Sequence, residues 1–314
     1  RIRYFCKPNG GVASALNVGI REMRGEYFSW LSHDDIYKSQ KIMHQIQTLR
    51  RLKDKHTILV GGYWVTDSEA KPLCKVNLLD LYTRDEVKDP LFGVLRCKVN
   101  GCAVLIHKSH FSRVGIFNPA FPTTQDYDLW FRMFRGQPVL YMPTYDVLSR
   151  SHEAQGSKAL LASHIKECDA LWIRMMEQLS DKEKINISGS IVGFYFGIYT
   201  FLQNSTGYTG AIAHAQMQTF IAAVNGYTSN QNTECTDILS QLCDVPKPYI
   251  VMCLALRHKK LSCKKRVMFQ LGDCNVGGGL NRIVTQTANQ LSTTYDTMMC
   301  SWVEYDKSSP NVYK

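Results

Sequence analysis

The chain has no close Cys-x-x-C pair. Its 11 cysteines are scattered from Cys6 to Cys300 and odd in number, so neither a cysteine–metal cluster nor a disulfide framework is encoded. Reduced, mostly buried thiols are the simple account, and they suit a cytoplasmic protein. The chain also lacks a long apolar run. The longest, Ile191 to Leu202, falls short of the ~20 residues that span a bilayer and contains Gly and Tyr. No secretory leader is visible, and no initiator Met precedes Arg1. In a cytoplasmic setting Asn186-Ile187-Ser188 and Asn204-Ser205-Thr206 are chance matches to the glycosylation pattern. Interleaved aromatics are missing from both basic clusters, Arg50 to Lys55 and His258 to Arg266, which argues against a nucleic-acid surface. The net charge of +10 is then left for nucleotide phosphates or for a peripheral contact with an anionic membrane surface.

What the chain does have is alternation. Val12 to Met23 carries apolar residues at helical spacing after the turn Asn9-Gly10-Gly11. Tyr27 to Leu31 reads as a short buried strand. Ser39 to Leu52 reads as an amphipathic helix with Ile42, Ile46 and Leu49 on one face. Thr57 to Thr66 and Val99 to His107 read as strands, Asp126 to Arg135 as a helix closed by Gly136 and Pro138, and Val139 to Met142 as a further strand. Such alternation predicts an α/β domain with helices on both faces of a sheet over residues 1–157. Residues 158–228 lose the strand signal and read as a helical extension, with Ile191 to Val224 as one long helical stretch. Residues 229–265 open on a Ser/Asn/Thr-rich stretch and read as a linker. From 266 to 314 the pattern is strand (Val267 to Leu271), Gly277-Gly278-Gly279 turn, helix, and strand (Thr297 to Val303), the opening of a Rossmann-like βαβ unit.

The chemistry-bearing residues lie at the ends of these elements. Asp34 and Asp35 follow the Tyr27–Leu31 run, and a strand end is where an α/β sheet presents ligand-binding groups. Adjacent carboxylates repel unless a divalent cation sits between them and an anionic ligand; a helix N-cap is the structural alternative. His33 alternates away from Asp34. Asp126 and Asp128 occupy the first turn of a helix, where the dipole favours anions, and an Asp there could also take a proton from an attacking hydroxyl. Trp130 could stack on a sugar face or serve the core. Arg150 suits phosphate oxygens, and the imidazole of His152 could complete a metal shell or simply lie at the surface. Gly101-Cys102 is small-residue backbone that suits either close approach of a ligand or tight packing.

Five segments in fixed order carry a resemblance: Asn9-Gly10-Gly11-Val12-Ala13-Ser14-Ala15-Leu16-Asn17, Gly25-Glu26-Tyr27 through Asp34-Asp35, Gly101 to Ile106, Gln125-Asp126-Tyr127-Asp128-Leu129-Trp130, and Arg150-Ser151-His152-Glu153-Ala154-Gln155-Gly156-Ser157. In this order and spacing the chain resembles the family 2 glycosyltransferases with the GT-A fold. The resemblance implies a mixed sheet sandwiched by helices and an enzyme that moves a sugar from a nucleotide-sugar donor to a glycan or lipid-linked acceptor in cell-surface polysaccharide synthesis. It implies Mg2+ or Mn2+ held by Asp34 and His152, donor contacts from Asp34, Asp35, Arg150 and His152, Asp126 as the inverting general base, and an acceptor site near Gly101, Cys102, Asp128 and Trp130. Two departures stand out. Ser32 occupies the first acidic place of the usual metal motif, and the strands that normally open the fold do not precede Arg1. The sequence therefore reads as a piece beginning inside the nucleotide-binding half, expected to be weakly active or inactive alone, and the βαβ opening at 266 resembles the start of a GT-B module. The processive Q-x-x-R-W pattern is absent, which favours addition of single sugars. A non-catalytic glycan- or nucleotide-binding module and a nucleotidyltransferase are the alternatives.

Overall fold

The computed structural model describes residues 2–254 other than Ala154, Thr206, Gln231, Asn232, Val245, Tyr249, Met252 and Cys253, together with the strands 266–271 and 296–301. The chain divides into two compact units, residues 1–189 with 204–211, and residues 190–203 with 212–314.

The first unit is built on one six-stranded mixed sheet flanked by helices. Its strands are β1 (Tyr27–Phe28), β2 (Ile36–Tyr37), β3 (Ile58–Thr66), β4 (Pro72–Val76), β5 (Val104–His107) and β6 (Val139–Arg150), in the spatial order β1-β5-β3-β6-β2 with β4 paired to β3. Only β3 and β6 run parallel, from Ile58 opposite Val139 to Thr66 opposite Arg150. The β-branched and aromatic run of β3 explains its central place, and Ile58, Leu59 and Val60 are fully enclosed. The β3–β6 ladder shifts register on both sides of Gly62. A Cβ on Gly62 would stand 2.8 Å from the carbonyl oxygens of Thr144 and Val76, so only glycine admits this bulge. Beyond it β6 runs on to Arg150 at the sheet's functional end.

Helix α1 (Gly11–Glu22) and helix α2 (Lys41–Arg51) confirm the expected elements, but α2 is rotated from the expected face. Its buried stripe is Lys41, Gln45 and Leu49; Ile46 is half-buried and Ile42 is 41 % exposed. Leu49 closes a cluster with Leu59, Leu105 and Met142. The ammonium of Lys55 ends the helix by donating to the carbonyls of Leu49, Arg50 and Leu52 at 2.8, 3.1 and 2.6 Å, so one member of the first basic cluster serves as a C-cap. Helix α3 (Leu78–Leu81), helix α4 (Ser109–Val114) and helix α5 (Gln125–Phe134) follow.

Two expected strands are shorter than their apolar runs. β1 ends at Phe28, and Ser29 to Leu31 leave the ladder. Within Val99 to His107, residues Gly101–Ala103 form a 3-10 turn because the Asn100 side chain accepts a hydrogen bond from the Cys102 amide at 2.8 Å.

The first unit also runs past residue 157. Helix α6 (Gly156–Ala159), helix α7 (Leu161–Gln178) and helix α8 (Asp181–Ser188) belong to it. The long stretch from Ile191 is two helices, α9 (Ile191–Gln203) and α10 (Thr209–Asn230), separated by a break that contains Gly207 at φ 100° and is grouped with the first unit. The expected linker 229–265 contains helix α11 (Thr233–Cys243), which buries Cys235, Ile238, Leu239 and Leu242. Its polar composition hides apolar residues three and four apart. Cys235, Ile238 and Leu239 pack with Val192, Ala223, Val224 and Leu254. Strands β7 (Arg266–Leu271) and β8 (Asp296–Ser301) pair in parallel, as a strand–crossover–strand unit requires. The Gly277–Gly279 turn and the helix expected after it lie outside the described residues. No single described helix is long and apolar enough to cross a membrane.

Candidate active site

Between β1 and β2 the chain makes a short loop that carries both acidic residues. The Asp35 amide donates to the Ser32 carbonyl at 3.2 Å, closing a turn, and the Ser32 amide donates to Cys102 Sγ at 3.2 Å. The end of β6 meets this turn. The Arg150 amide donates to Asp35 Oδ1 at 3.0 Å, the Arg150 guanidinium donates to the Asp34 carbonyl, and His152 Nε2 lies 3.1 Å from Asp34 Oδ2 across 118 residues of sequence. The Gln155 side chain donates to the Arg150 carbonyl, and the Ser151 amide to the Thr66 carbonyl at 2.8 Å. Asp34, Asp35, Arg150 and His152 are thus brought together by the antiparallel register of β2 on β6.

The two carboxyls sit in different surroundings. Burial pushes Asp34 up, but hydrogen bonds from Ser32 and His152 outweigh it and hold the group below its ordinary range. Burial dominates at Asp35 and raises it, against hydrogen bonds from Cys102 and the Arg150 amide. Asp34, favoured in its charged form, faces His152, while Asp35 fastens the turn to β6.

The first pair, hydrogen-bonded to each other, can be compared with the spacing of two ligands on one divalent cation. Adjacent ligands of an octahedral Mg2+ or Mn2+ lie about 3.0 Å apart when each bond is about 2.1 Å, and Asp34 Oδ2 and His152 Nε2 stand 3.1 Å apart. Among the described residues no group of three or more His, Cys, Asp and Glu converges on one point. A cation held by these two would need oxygens from a ligand such as a diphosphate.

Asp126 lies in the first turn of α5 and accepts from the Tyr127 amide at 2.9 Å. It keeps part of its surface open, and burial pushes its carboxyl up to about 6. A segment of four residues links this place to the acidic turn. Tyr127 Oη bonds the amide and carbonyl of Val99 at 3.2 and 3.1 Å, while Cys102 holds Ser32.

Three expected acceptor contacts have structural tasks instead, and a fourth is sealed off. Trp130 is 0 % exposed and packs edge-on against Phe117 and beside Phe134, so its ring is core and cannot stack on a sugar. Gly101 is buried, and a Cβ there would stand 2.3 Å from the Trp30 ring; the missing side chain makes room for tryptophan, not for substrate. Cys102 is 2 % exposed beneath the acidic turn. Asp128 has both oxygens occupied, Oδ2 by Arg132 at 2.9 Å and Oδ1 by Arg174 at 2.8 Å. Asp128→Ala is expected to leave two guanidiniums without their shared carboxylate. It should lower stability by about 2 kcal/mol, read as a lower denaturant midpoint at unchanged slope.

Residues outside the expected set complete the scaffold. Glu167 on α7 accepts from the amides of Thr123 and Thr124 at 3.0 and 3.2 Å and from the Thr124 hydroxyl at 3.1 Å. With Arg174 two turns further on, α7 grips the first turn of α5 and so aims Asp126. Gln45 of α2 donates to the Ala103 carbonyl at the end of the Gly101–Ala103 turn, and Lys41 to the Val104 carbonyl just after it. Sequence carries a weak signal for Glu167 and Arg174, which share a helix face seven residues apart, and none for Lys41.

The mixed sheet, flanked by helices, brings the paired acidic turn and the end of β6 together on a layered α/β domain. The family model described as "Glycosyl transferase family 2" matches residues 1–110. An uncharacterised glycosyltransferase of Rickettsia typhi is 36 % identical over 242 residues, covering 77 % of this chain and 73 % of its own. Uncharacterised glycosyltransferases of Rickettsia conorii and Rickettsia bellii are 44 % and 43 % identical over 67 % and 68 % of this chain. This chain spans only 35 % and 31 % of the length of those two relatives. The chain belongs to glycosyltransferase family 2. A solved mannosyltransferase from Pyrobaculum calidifontis, in complex with GDP-Man and Mn2+, shares 14 % identity at a TM-score of 0.39 over 80 % of this chain and 67 % of its own, too remote to bear on individual residues.

Proposed function

We propose that this chain carries the diphosphate-binding and catalytic-base elements of a metal-dependent, inverting glycosyltransferase. The observation that carries the reading is the meeting of Asp34 with His152 across 118 residues, at the spacing of adjacent ligands on one cation. Asp34 and His152 would hold Mg2+ or Mn2+, and that cation would neutralise charge on the departing nucleoside diphosphate. Arg150 and the loop amides orient the phosphates. Asp126 takes the proton of the acceptor hydroxyl as the new C–O bond forms and the bond from the anomeric carbon to the diphosphate oxygen breaks. One displacement from the opposite side inverts the anomeric carbon.

A carboxyl near 6 supports that role for Asp126, because it is ionised at neutral pH yet a stronger base than an ordinary aspartate. The acceptor is a glycan or lipid-linked saccharide of a surface polysaccharide. The described cysteines are free thiols, which supports a cytoplasmic setting, and exposed Arg50, Arg51 and Lys53 at the end of α2 support a peripheral contact with anionic lipid. The test is nucleoside diphosphate release by the natural protein carrying this chain, across a panel of nucleotide sugars. Release should stop with EDTA and return with Mn2+, and the product anomer should be opposite to the donor's. Turnover indifferent to EDTA would overturn the metal reading, and a retained anomer would overturn inversion.

A further inference from the structure

Lys41 is the most unusual charged residue of the first unit. It is 2 % exposed, whereas lysines are almost never fully buried without a carboxylate partner. The contacts of its ammonium are neutral: Ser29 Oγ at 2.6 Å, the Val104 carbonyl at 3.3 Å and the face of the Tyr37 ring at 4.2 Å. Those contacts are not scattered. Ser29 is where the chain leaves β1, Tyr37 is the second residue of β2, and Tyr37 Oη lies 2.9 Å from Ser29 Oγ and also bonds the Trp30 carbonyl. Val104 follows the 3-10 turn whose Cys102 holds Ser32. One ammonium therefore ties both ends of the acidic loop to the turn beneath it.

We infer that Lys41 is a positioning residue of the transferase site, which holds the loop bearing Asp34 and Asp35 in its cation-ready form at the expense of the protein's stability. The inference rests on the reading of Asp34 and His152 as the cation site. A buried ammonium with neutral partners is an energetic burden, and a residue kept only for packing would be better filled by an apolar side chain of the same length. Burial pushes Lys41 down to about 7. The titratable groups around it are the Tyr37 phenol, the Cys102 thiol and Asp146 of β6; His44 engages Asp146 at 2.8 Å. Because the folded value lies below the unfolded one, the unfolded chain binds the extra proton between about pH 7 and 10.5. Stability should therefore rise with pH through that window.

A structural role and a positioning role predict opposite signs for Lys41→Met. Positioning predicts a melting temperature higher by several degrees at pH 7 and the loss of the pH-dependent rise above 7. It also predicts amide exchange about tenfold faster at Ser32, Asp35 and Arg150 alone, and Mn2+ affinity about tenfold weaker. A lower melting temperature, with amides accelerated throughout the first unit, would overturn it, as would unchanged loop amides in a stabilised variant. If the unsubstituted protein binds no Mn2+, the metal reading falls, and the loop amides together with the melting temperature still decide the role of Lys41.

Discussion

Asp126→Asn should reduce sugar transfer by about a thousandfold, within the range a positioned general base supplies, while donor binding stays within about twofold. The amide has nearly the shape of the carboxyl and keeps the hydrogen bond from the Tyr127 amide, but it cannot accept the acceptor's proton. As the proposed base, Asp126 would act only when ionised. The rate should therefore climb with pH through a midpoint near 6 and level above it, and the residual rate of the variant should lack that limb. Stability should move the other way. Burial raises Asp126 above its unfolded value, so the folded state is penalised by the charge above pH 6, and Asn removes the penalty. Kinetics in the natural protein, with melting at pH 5 and pH 8, check both arms. Unaltered transfer by Asp126→Asn would put the base elsewhere.

A comparable loss is expected at Asp34. Asp34→Ala should lower kcat/KM by about a thousandfold, since charge stabilisation by a bound cation amounts to several kcal/mol, and should raise the Mn2+ concentration needed for half activity. Here stability moves in the same direction as function. Hydrogen bonds hold the Asp34 carboxyl below its ordinary value, so it stabilises the fold above its unfolded pKa, and that contribution is lost as pH falls through the folded value. His152→Ala removes the partner 3.1 Å away and should have a smaller effect, about a hundredfold or less. An Asp34→Ala protein with the Mn2+ dependence of the parent would exclude this pair as the cation site.

The places of the candidate residues in the fold are largely legible in the residue order. Adjacent Asp34 and Asp35 at a strand end, Asp126 at a helix start and His152 after a strand are local patterns, and local patterns survive folding because strand ends and helix termini leave backbone groups free for function. Side-chain direction is less legible. Trp130 and Asp128 lie within about a turn of Asp126, and only the packing of Phe117 and the arrival of Arg174 make one of them core and the other a clamp. The α2 face shows the same limit. Ile42, Ile46 and Leu49 look like the buried stripe, yet the helix turns Lys41 and Gln45 inward to meet the carbonyls of Val104 and Ala103. Those carbonyls lie where the 3-10 turn joins β5, more than fifty residues away, and the donors they draw in leave no mark on the helix pattern. Helix α11, inside the stretch read as a linker, is hidden for a related reason, since composition averages away the spacing of Cys235, Ile238, Leu239 and Leu242.

The α/β order of the first unit follows from residue type and spacing along the chain, and its family from the resemblance that five ordered motifs carry, so both could be read without coordinates. Other features could not. The antiparallel pairing of β2 with β6 brings His152 to Asp34. Glu167 of α7 caps the helix of Asp126, and a buried ammonium braces the acidic loop. Each of these joins residues far apart in sequence. A contact of that kind is set by which strands pair and which faces bury, a property of the whole packed chain and of no segment within it.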